Sequence, residues 1–261
     1  MGRLALVSAL LSAVVLACAF QLGGRRVALP APARPVATTV LTAAAQQTMR
    51  GTPITLAQDS LRRRAEKMTL RVRNISCAGV ATGSAWAIDS HTLVTNRHVL
   101  AGAAVLEMDA WDGTAFEGDV AQAEEGRLVD IGIAAVPQRL PVTGKTGPRA
   151  RPGDHVTAVG YPLGGQLTLS PGRVIRYLDG RTLPPEIAFD GPVMQLSTRI
   201  KHGNSGGPVL DARGRVVGIT YARQPGATAE DYMRLAYAIP LSSARTLLRT
   251  GGTQAVLPCE Q

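Results

Sequence analysis

From Thr69 onward, the sequence consists of short apolar or alternating segments separated by clusters of Gly, Asp and Ser. Segments of this kind, rich in β-branched residues and bounded by turn residues, are typical of β-strands. The first series of predicted strands is Thr69–Ile75, Val80–Asp89, Thr92–Thr95, Ala104–Asp109, Thr114–Ala121 and Arg127–Val136. The second series is His155–Gly160, Gln166–Tyr177, Val193–Ser197, Pro208–Asp211, Arg215–Ala222 and Leu235–Ile239. Between them, Pro137–Gly153 holds four Pro and three Gly and is predicted to be a crossover.

Two series of short strands favour an all-β fold, either as two packed barrels or as one sandwich. The last element, Ser242–Arg249, starts with a Ser cap and precedes Gly251 and Gly252, so a C-terminal helix is predicted over residues 242–250. The chain is 45% hydrophobic and contains 28 Gly, a composition typical of a turn-rich globular protein and too apolar for a disordered one.

The first 22 residues have the pattern of an export signal. Arg3 precedes the uncharged run Leu4–Phe20, in which small residues flank Cys18. Three outcomes stay open, namely cleavage after Ala19, retention of the run as a membrane anchor, and lipidation of Cys18. Each predicts an extracytoplasmic protein, secreted or anchored to the outer face of the cytoplasmic membrane. Residues 23–56, rich in Pro, Ala and Thr, are predicted to be an extended tether.

The excess positive charge lies on the N-terminal side of the chain. Residues 1–76 hold 11 Lys and Arg against 2 Asp and Glu, whereas the rest of the chain holds 17 of each. Arg62–Arg64 are predicted to form the solvated face of a short helix that Asp59 or Ser60 caps and that ends at Lys67. The alternative interpretation, a basic protein that binds a membrane surface or nucleic acid, depends on these charges alone. No aromatic or Gly-rich RNA motif accompanies them, so nucleic acid is not expected as a partner.

The segment Lys201–Leu210, with the sequence KHGNSGGPVL, predicts a serine nucleophile at Ser205. A serine that attacks a carbonyl must be held at a sharp turn, with main-chain N–H groups directed at the oxygen that becomes negative. Glycines permit that turn, and Gly203 allows its own N–H to join that of Ser205 in an oxyanion hole. An ordinary Gly-rich hairpin is the alternative interpretation of the motif.

A serine hydroxyl needs a base within hydrogen-bond reach, and His98 is the predicted base. It stands at the end of an apolar strand, where a small helix is expected to begin. His91, His155 and His202 are interpreted as structural or solvated histidines. Of these three, only His202 is close enough in sequence to Ser205 to line a substrate pocket.

The imidazole must be oriented by a partly buried carboxylate, and Asp130 is the predicted acid. It stands within the apolar run RLVDIGIAAV, where an unpaired charge would be costly. Turn-like sequence surrounds the other candidates, Asp109, Asp112, Asp119 and Asp211, which are interpreted as solvated groups.

Four segments together resemble the hallmark blocks of trypsin-like serine proteases, and they are nearest to the HtrA-type (high-temperature-requirement) bacterial branch. They are Thr82–Ile88 (TGSAWAI), Thr95–Val99 (TNRHV), Asp130–Ala134 (DIGIA) and Gly203–Pro208 (GNSGGP). The order His, Asp, Ser matches that branch, and the similarity covers about residues 69–250.

The resemblance implies a protease domain over residues 57–261, built from two six-stranded antiparallel β-barrels of chymotrypsin type. Barrel one would cover about 69–137 and barrel two about 154–240. The site would lie in the cleft between the barrels and hydrolyse peptide bonds of protein or peptide substrates through an acyl-enzyme. The triad would be His98, Asp130 and Ser205, and the oxyanion hole would be formed by Gly203, Asn204 and Ser205. No metal or cofactor is expected.

Departures from the family limit what the resemblance implies. The chain ends at Gln261, about ten residues past the predicted helix, so the peptide-binding PDZ module of typical HtrA proteins is not expected. Gly132 replaces a residue that is usually Ala or larger, a change that the strand is expected to tolerate. An Ile-Val-Gly-Gly start, as in trypsin zymogens, is absent, so activation by a new buried amino terminus is not expected.

Three further expectations concern the surroundings of the site. The substrate pocket is expected to be walled by Ser197–His202 and Val217–Arg223. The stretch Arg223–Arg234 is predicted to be mobile, which leaves open a catalytically silent or latent binding module that a partner activates. Because an oxidising compartment favours pairing of the two cysteines outside the leader, a disulfide between Cys77 and Cys259 is predicted.

Overall fold

The computed structural model describes residues 56–126, 128–223, 235–244 and 252–254. The predicted export signal over 1–22 and residues 23–55 of the predicted tether over 23–56 lie outside the described residues, as do 245–250 of the predicted C-terminal helix. Residues 241–244, where that helix starts, are helical. Within the described ranges, no helix has the length and apolar character needed to cross a membrane.

The first described element is the helix α1, which covers Leu56–Met68. It begins earlier than predicted, so Asp59 and Ser60 lie inside the helix and do not cap it. Its first two arginines are exposed, as expected of a solvated basic face. On the opposite side, Ala65 and Met68 are fully buried. The helix is therefore fixed to the domain by its apolar side.

Barrel one is a closed six-stranded antiparallel sheet in the spatial order β1-β2-β3-β6-β5-β4, closed by pairing of β4 with β1. Its strands are β1 (Thr69–Ser76), β2 (Gly79–Ala87), β3 (Thr92–Thr95), β4 (Ala103–Asp109), β5 (Ala115–Glu125) and β6 (Gly132–Ala135). The short helix α2 (Arg97–Leu100) follows β3. The inward-facing residues alternate along β1, where Leu70 and Val72 are buried, as a strand with one buried face requires.

Barrel two is closed in the order β10-β11-β12-β9-β8-β7. Its strands are β7 (His155–Gly160), β8 (Thr168–Asp179), β9 (Pro192–Leu196), β10 (Pro208–Asp211), β11 (Val216–Arg223) and β12 (Ala236–Pro240). A further short strand, β13 (Thr253–Gln254), returns to barrel one and pairs with β5. The predicted all-β fold of two six-stranded barrels is confirmed.

A continuous apolar core joins the two barrels. Trp86 and Val94 from barrel one pack in the same cluster as Val159, Leu210 and Ile219 from barrel two, and all five are buried. Because protein interiors are closely packed, this shared core holds the two barrels against each other at the base of the cleft. Side chains contributed to the cleft by either barrel therefore face each other in a defined geometry.

One predicted strand is much shorter than expected. The run Arg127–Val136 was predicted as a single strand containing Asp130, but only Gly132–Ala135 forms β6. Asp130 lies in the bend before that strand, where Asn96 Nδ2 donates to its carbonyl oxygen at 2.6 Å. The bend was missed because apolar residues stand on both sides of Asp130. Their side chains pack as those of a strand would, although their backbone does not pair with a neighbouring strand.

Candidate active site

A cavity of about 480 Å³ opens between the two barrels and brings the predicted site residues together. Barrel one contributes Arg97, His98 and Asp130. Barrel two contributes Glu186, Ile187, Ala188, Phe189, Ile200, Lys201, His202, Ser205, Tyr221 and Ala222. Residues that are more than one hundred positions apart in the sequence, such as His98 and Ser205, thus line one cavity.

His98 and Asp130 form a short hydrogen-bonded pair. Asp130 Oδ2 lies 2.6 Å from His98 Nδ1, and Asp130 Oδ1 accepts the His98 main-chain N–H at 3.0 Å. Because a carboxylate only accepts, the proton of a neutral imidazole lies on Nδ1, and Nε2 is left as an acceptor. The side chain of His98 is 49% exposed and that of Asp130 14%, so the ring can meet a substrate while the acid is largely shielded.

The position of the imidazole is set by close packing of α2 against β6. A Cβ on Gly132 would come within 2.6 Å of Leu100 Cδ1 and 3.2 Å of Asn96 O, so glycine is what permits this approach. Gly132 is the first residue of β6, and its lack of a side chain leaves room for Leu100 of α2, the helix that carries His98.

Ser205 belongs to the part of the cavity lining that barrel two contributes, and it stands just before the Gly206–Gly207 turn into β10. Its Oγ donates a long hydrogen bond of 3.4 Å to the main-chain oxygen of Tyr221. Both side chains belong to the described part of the chain, and no hydrogen bond joins Ser205 Oγ to the His98 ring there. Catalytic hydrogen bonds are often long or poorly aligned in the absence of substrate and tighten when it binds.

The loop before Ser205 directs its carbonyl groups away from the cavity. His202 O accepts from Leu163 N at 2.6 Å and Gly203 O from Ser84 Oγ at 2.7 Å, while Ser205 O accepts from Ser84 N at 2.7 Å. The amide groups of Gly203 and Ser205 have no acceptor among the described residues. Two adjacent N–H groups are thus available for an anionic oxygen, as an oxyanion hole requires.

Gly203 has the backbone conformation that this loop needs. Its φ of +91° is one that side-chain-bearing residues rarely adopt, and a Cβ there would clash with Tyr161 O. Asn204 differs from its two neighbours because its amide donates to Lys201 O at 3.1 Å. Of the three residues predicted for the oxyanion hole, Gly203 and Ser205 therefore have amides free to receive an oxygen.

The wall of the cavity is mostly apolar, and part of it was missed by the sequence analysis. Ile200 and Tyr221 come from the two predicted wall segments, whereas Ile187 and Phe189 come from the loop between β8 and β9. The rings of Phe189 and Tyr221 meet edge to face at 5.4 Å, and Tyr221 Oη donates to Ile187 O at 2.9 Å. Burial, and secondarily the charge of Asp130, raises the pKa of Tyr221, so its phenol stays a neutral donor.

Residues 83–219, just over half of the chain, match the trypsin-like peptidase domain. The chain belongs to the trypsin-like peptidase family. The Synechocystis protein HhoA is 36% identical to this peptidase over 181 residues, which are 66% of this chain and 44% of HhoA. Serine protease Rv3671c of Mycobacterium tuberculosis is 30% identical over 200 residues, 73% of this chain and 48% of that protein. This peptidase spans less than half the length of these two curated relatives.

Solved structures agree with the family assignment. The crystal structure of the Rv3671c protease in its active form matches with a TM-score of 0.64 and 26% identity, covering 79% of this chain and 90% of that chain. The HtrA-type protease AlgW, solved with a tripeptide, has the same fold, with a TM-score of 0.63 and 24% identity over 74% of this chain and 64% of that chain. The predicted resemblance to HtrA-type trypsin-like proteases is confirmed.

Among the other predicted residues, His202 lines the cavity of the peptidase, whereas His91 and His155 do not. Lys201 lies on the cavity wall, and Arg199 borders a separate surface depression with Leu169 and Thr198. The loop over 186–189 could have been suspected only from two apolar residues, Ile187 and Phe189, in a Pro-rich connection. Cys259, on which the disulfide depends, and residues 224–234 of the predicted mobile stretch lie outside the described residues.

Proposed function

We propose that this trypsin-like peptidase is an endopeptidase that hydrolyses peptide bonds through an acyl-enzyme, with His98, Asp130 and Ser205 as its catalytic triad. The observation that carries the proposal is the 2.6 Å contact from His98 Nδ1 to Asp130 Oδ2, which leaves Nε2 as the acceptor of a ring that lines the same cavity as Ser205. An oriented base and a serine hydroxyl in one cavity are the minimum that nucleophilic catalysis by serine needs.

The proposed reaction has two halves. In the first, His98 Nε2 takes the proton of Ser205 Oγ while the oxygen attacks the substrate carbonyl, and the same proton then passes to the leaving amine. In the second, His98 removes a proton from water, the resulting hydroxide attacks the ester, and Ser205 Oγ is reprotonated as the acid product leaves. Asp130 accepts a hydrogen bond from the imidazolium in both halves and stabilises its charge.

Each tetrahedral intermediate places a negative charge on the former carbonyl oxygen. The amides of Gly203 and Ser205 are the proposed donors to that oxygen, because both are unengaged in the described part of the protein. Removal of one such donor in comparable sites lowers the rate by about 10²–10³. The main-chain N–H of Asn204 is not a proposed donor, since it donates to Lys201 O.

The substrate is proposed to carry an apolar side chain next to the cleaved bond. Ile187, Phe189, Ile200 and Tyr221 form an apolar wall, and a buried apolar side chain contributes about 1.5–3 kcal/mol on transfer from water. Lys201 lies at this wall, but a long cationic side chain readily extends its charged end into solvent. Cleavage-site profiling with a peptide library tests the preference, and enrichment of acidic residues at that position would contradict it.

The activity is tested by labelling with a fluorophosphonate, which reacts with a serine that a base activates. The purified wild-type peptidase is expected to be labelled and to cleave casein, whereas Ser205→Ala is expected to do neither. A latent form is the second candidate, and the hydrogen bond from Ser205 Oγ to Tyr221 O favours it. Folded wild-type protein that reacts only after a partner or denaturing stress is applied would support the latent form.

Export is part of the same proposal. It rests on the uncharged run Leu4–Phe20 after Arg3, and it places the protease domain outside the cytoplasm, secreted or attached to the membrane by its N-terminal segment. Fractionation of cells that express the full chain, followed by N-terminal sequencing of the mature protein, tests this assignment. Cytoplasmic protein that retains Met1 would contradict it.

A further inference from the structure

Ser84 is a fully buried residue of barrel one whose hydroxyl contacts the nucleophile loop of barrel two. Its Oγ donates to Gly203 O at 2.7 Å and accepts from Tyr161 N at 2.9 Å. Its main-chain N–H donates to Ser205 O at 2.7 Å. Three hydrogen bonds from one residue thus cross the boundary between the barrels, and all three end at the loop or at the turn beside it.

The orientation of the loop peptides follows from these contacts. In a trans peptide, the C=O and the N–H point in opposite directions. Because Ser84 holds the Gly203 C=O, the N–H of that same peptide, which belongs to Asn204, points the other way and donates to Lys201 O. This peptide stands between the two peptides that carry the Gly203 and Ser205 N–H groups, so a rotation of it would change the directions of both of those amides.

The same hydroxyl also positions the turn that fixes the next peptide. Tyr161 begins this turn, and Leu163, whose φ of +57° is unusual for a residue with a side chain, donates its N–H to His202 O at 2.6 Å. With the His202 C=O held there, the N–H of Gly203 points to the opposite side. The Ser84 hydroxyl therefore fixes the peptide between Gly203 and Asn204 directly. Through Tyr161, it also holds the turn whose Leu163 N–H binds His202 O and so orients the Gly203 amide.

We propose that Ser84 is a positioning residue for the oxyanion hole. The inference rests on the proposed serine-protease function and adds a part to it. Within the described residues, Ser84 Oγ is the donor for Gly203 O and the acceptor for Tyr161 N, so both groups lose their hydrogen bond when the hydroxyl is removed. A buried polar group without a partner is unfavourable, and the loop then gains stability by rotating its peptides.

The test compares Ser84→Ala with wild type by the kinetics of fluorophosphonate labelling. In the labelled adduct, the phosphoryl oxygen occupies the oxyanion hole, so the limiting rate constant of inactivation measures how well the hole stabilises that oxygen. The reagent concentration that gives half of the limiting rate measures how tightly the reagent binds. The limiting rate constant is expected to fall about 10- to 100-fold in Ser84→Ala, while the half-maximal concentration changes by less than about threefold. The midpoint of the pH profile is expected to stay in place, because Ser84 contacts neither His98 nor Asp130.

Two further variants separate positioning from a loss of stability. Thr198 is also buried and donates one hydrogen bond to a main-chain carbonyl, Ser170 O, at 2.9 Å, but it does not line the cavity. Thr198→Val is therefore the matched control and is expected to keep the wild-type rate constant. Ser84→Thr retains the hydroxyl and is expected to recover most of the rate. If Ser84→Ala does not fold, Ser84→Cys, whose thiol is a weaker donor, replaces it with a smaller expected loss.

The outcomes distinguish the two proposals. Wild-type protein that is folded and never labelled would overturn the proposed protease function, and the role of Ser84 with it. The role of Ser84 alone would be overturned if wild-type protein is labelled and a folded Ser84→Ala protein is labelled at a limiting rate within about threefold of the wild-type rate. An equal loss in Thr198→Val would also overturn it, because a general loss of packing would then account for the effect.

Discussion

Arg71 on β1 and Asp109 on β4 form a two-pronged ion pair, with Nε to Oδ1 at 3.1 Å and Nη2 to Oδ2 at 2.5 Å. The remaining edge of the guanidinium points to barrel two, where Nη1 donates to Gly164 O at 2.7 Å. Gly164 belongs to the turn whose Leu163 amide holds His202 O. The carboxylate of Asp109 is therefore connected, through one arginine, to the loop that precedes the proposed nucleophile.

Replacing Arg71 by Met is expected to lower both the melting temperature and the rate of fluorophosphonate labelling. The variant leaves Asp109 without its partner and Gly164 O without a charged donor, a loss of about 1–3 kcal/mol for a hydrogen bond to a charged group. The labelling rate is expected to fall several-fold because the turn that carries Leu163 loses its anchor.

Arg73 supplies the matched control for this prediction. It lies two residues further along β1 and pairs with Glu107 at 2.8 Å, and both side chains are about half exposed. Arg73→Met is expected to leave labelling unchanged and to alter stability by less than about 1 kcal/mol, as is usual for exposed ion pairs. Equal effects of the two substitutions in calorimetry and labelling would contradict a specific role for Arg71.

Ser205→Ala is expected to remove casein cleavage and fluorophosphonate labelling while the fold is retained. In the described structure, the hydroxyl makes only one long hydrogen bond, to Tyr221 O, so its loss changes the free energy of unfolding by less than about 1 kcal/mol. Activity should fall by several orders of magnitude, as for triad members in general. Cleavage at the wild-type rate by the purified variant would show that another residue is the nucleophile.

Asp130→Asn is expected to lower activity by about 10⁴ with little change in fold, because an amide cannot hold the proton of the imidazole on Nδ1 as the carboxylate does. Asp119→Asn is the control. Asp119 accepts hydrogen bonds from Ala121 N and Gln122 Nε2 on barrel one and does not line the cavity. Steady-state kinetics of the two purified variants checks the prediction, and comparable losses for both would move the acid elsewhere.

The strand pattern alone favoured an all-β fold, as two barrels or one sandwich, and the resemblance to trypsin-like proteases implied two barrels with His98, Asp130 and Ser205 in the cleft. Strand alternation needs only neighbouring residues, and the blocks around His98 and Ser205 carry their own turn residues. The bend at Asp130 was missed because its neighbours Val129 and Ile131 are apolar and packed, which resembles a strand in composition. The proposed role of Ser84 could not be predicted from the sequence, because its contacts depend on how one barrel packs against the other.

Glu125, at the end of β5, provides a prediction about pH. Its side chain is buried, and this burial raises the pKa of the carboxyl, an effect that Arg97 opposes and Asp130 adds to. A carboxyl whose pKa is raised by folding lowers stability as the pH rises from its ordinary pKa to the raised one, and the loss stays constant at higher pH. Glu125→Gln is therefore expected to gain stability relative to wild type as the pH is raised from about 4 to 8.

Thermal unfolding at several pH values checks this, with Glu117→Gln on the exposed face of β5 as the charge control. A constant difference across the range would contradict it.

The disulfide between Cys77 and Cys259 stays a prediction, because Cys259 lies outside the described residues. Gln254 on β13 pairs with Glu124 on β5, and the order β13-β5-β4-β1 leads to Ser76, next to Cys77. Three strand spacings amount to about 14 Å, and the five residues from Gln254 to Cys259 extend about 17 Å. Five residues in extended conformation would therefore span the distance across the sheet from β13 to β1.

A bond between these cysteines would join the two ends of the protease domain. The chain-entropy treatment gives an upper figure of about 5 kcal/mol for so long a loop, a large share of typical domain stability. Exported protein is expected to show no free thiol at these two positions by alkylation and intact mass before reduction, and two after it. The melting temperature is expected to fall on reduction in wild type and to stay constant in a variant with both cysteines replaced by Ala. Two alkylated thiols before reduction would show that the pair is not formed.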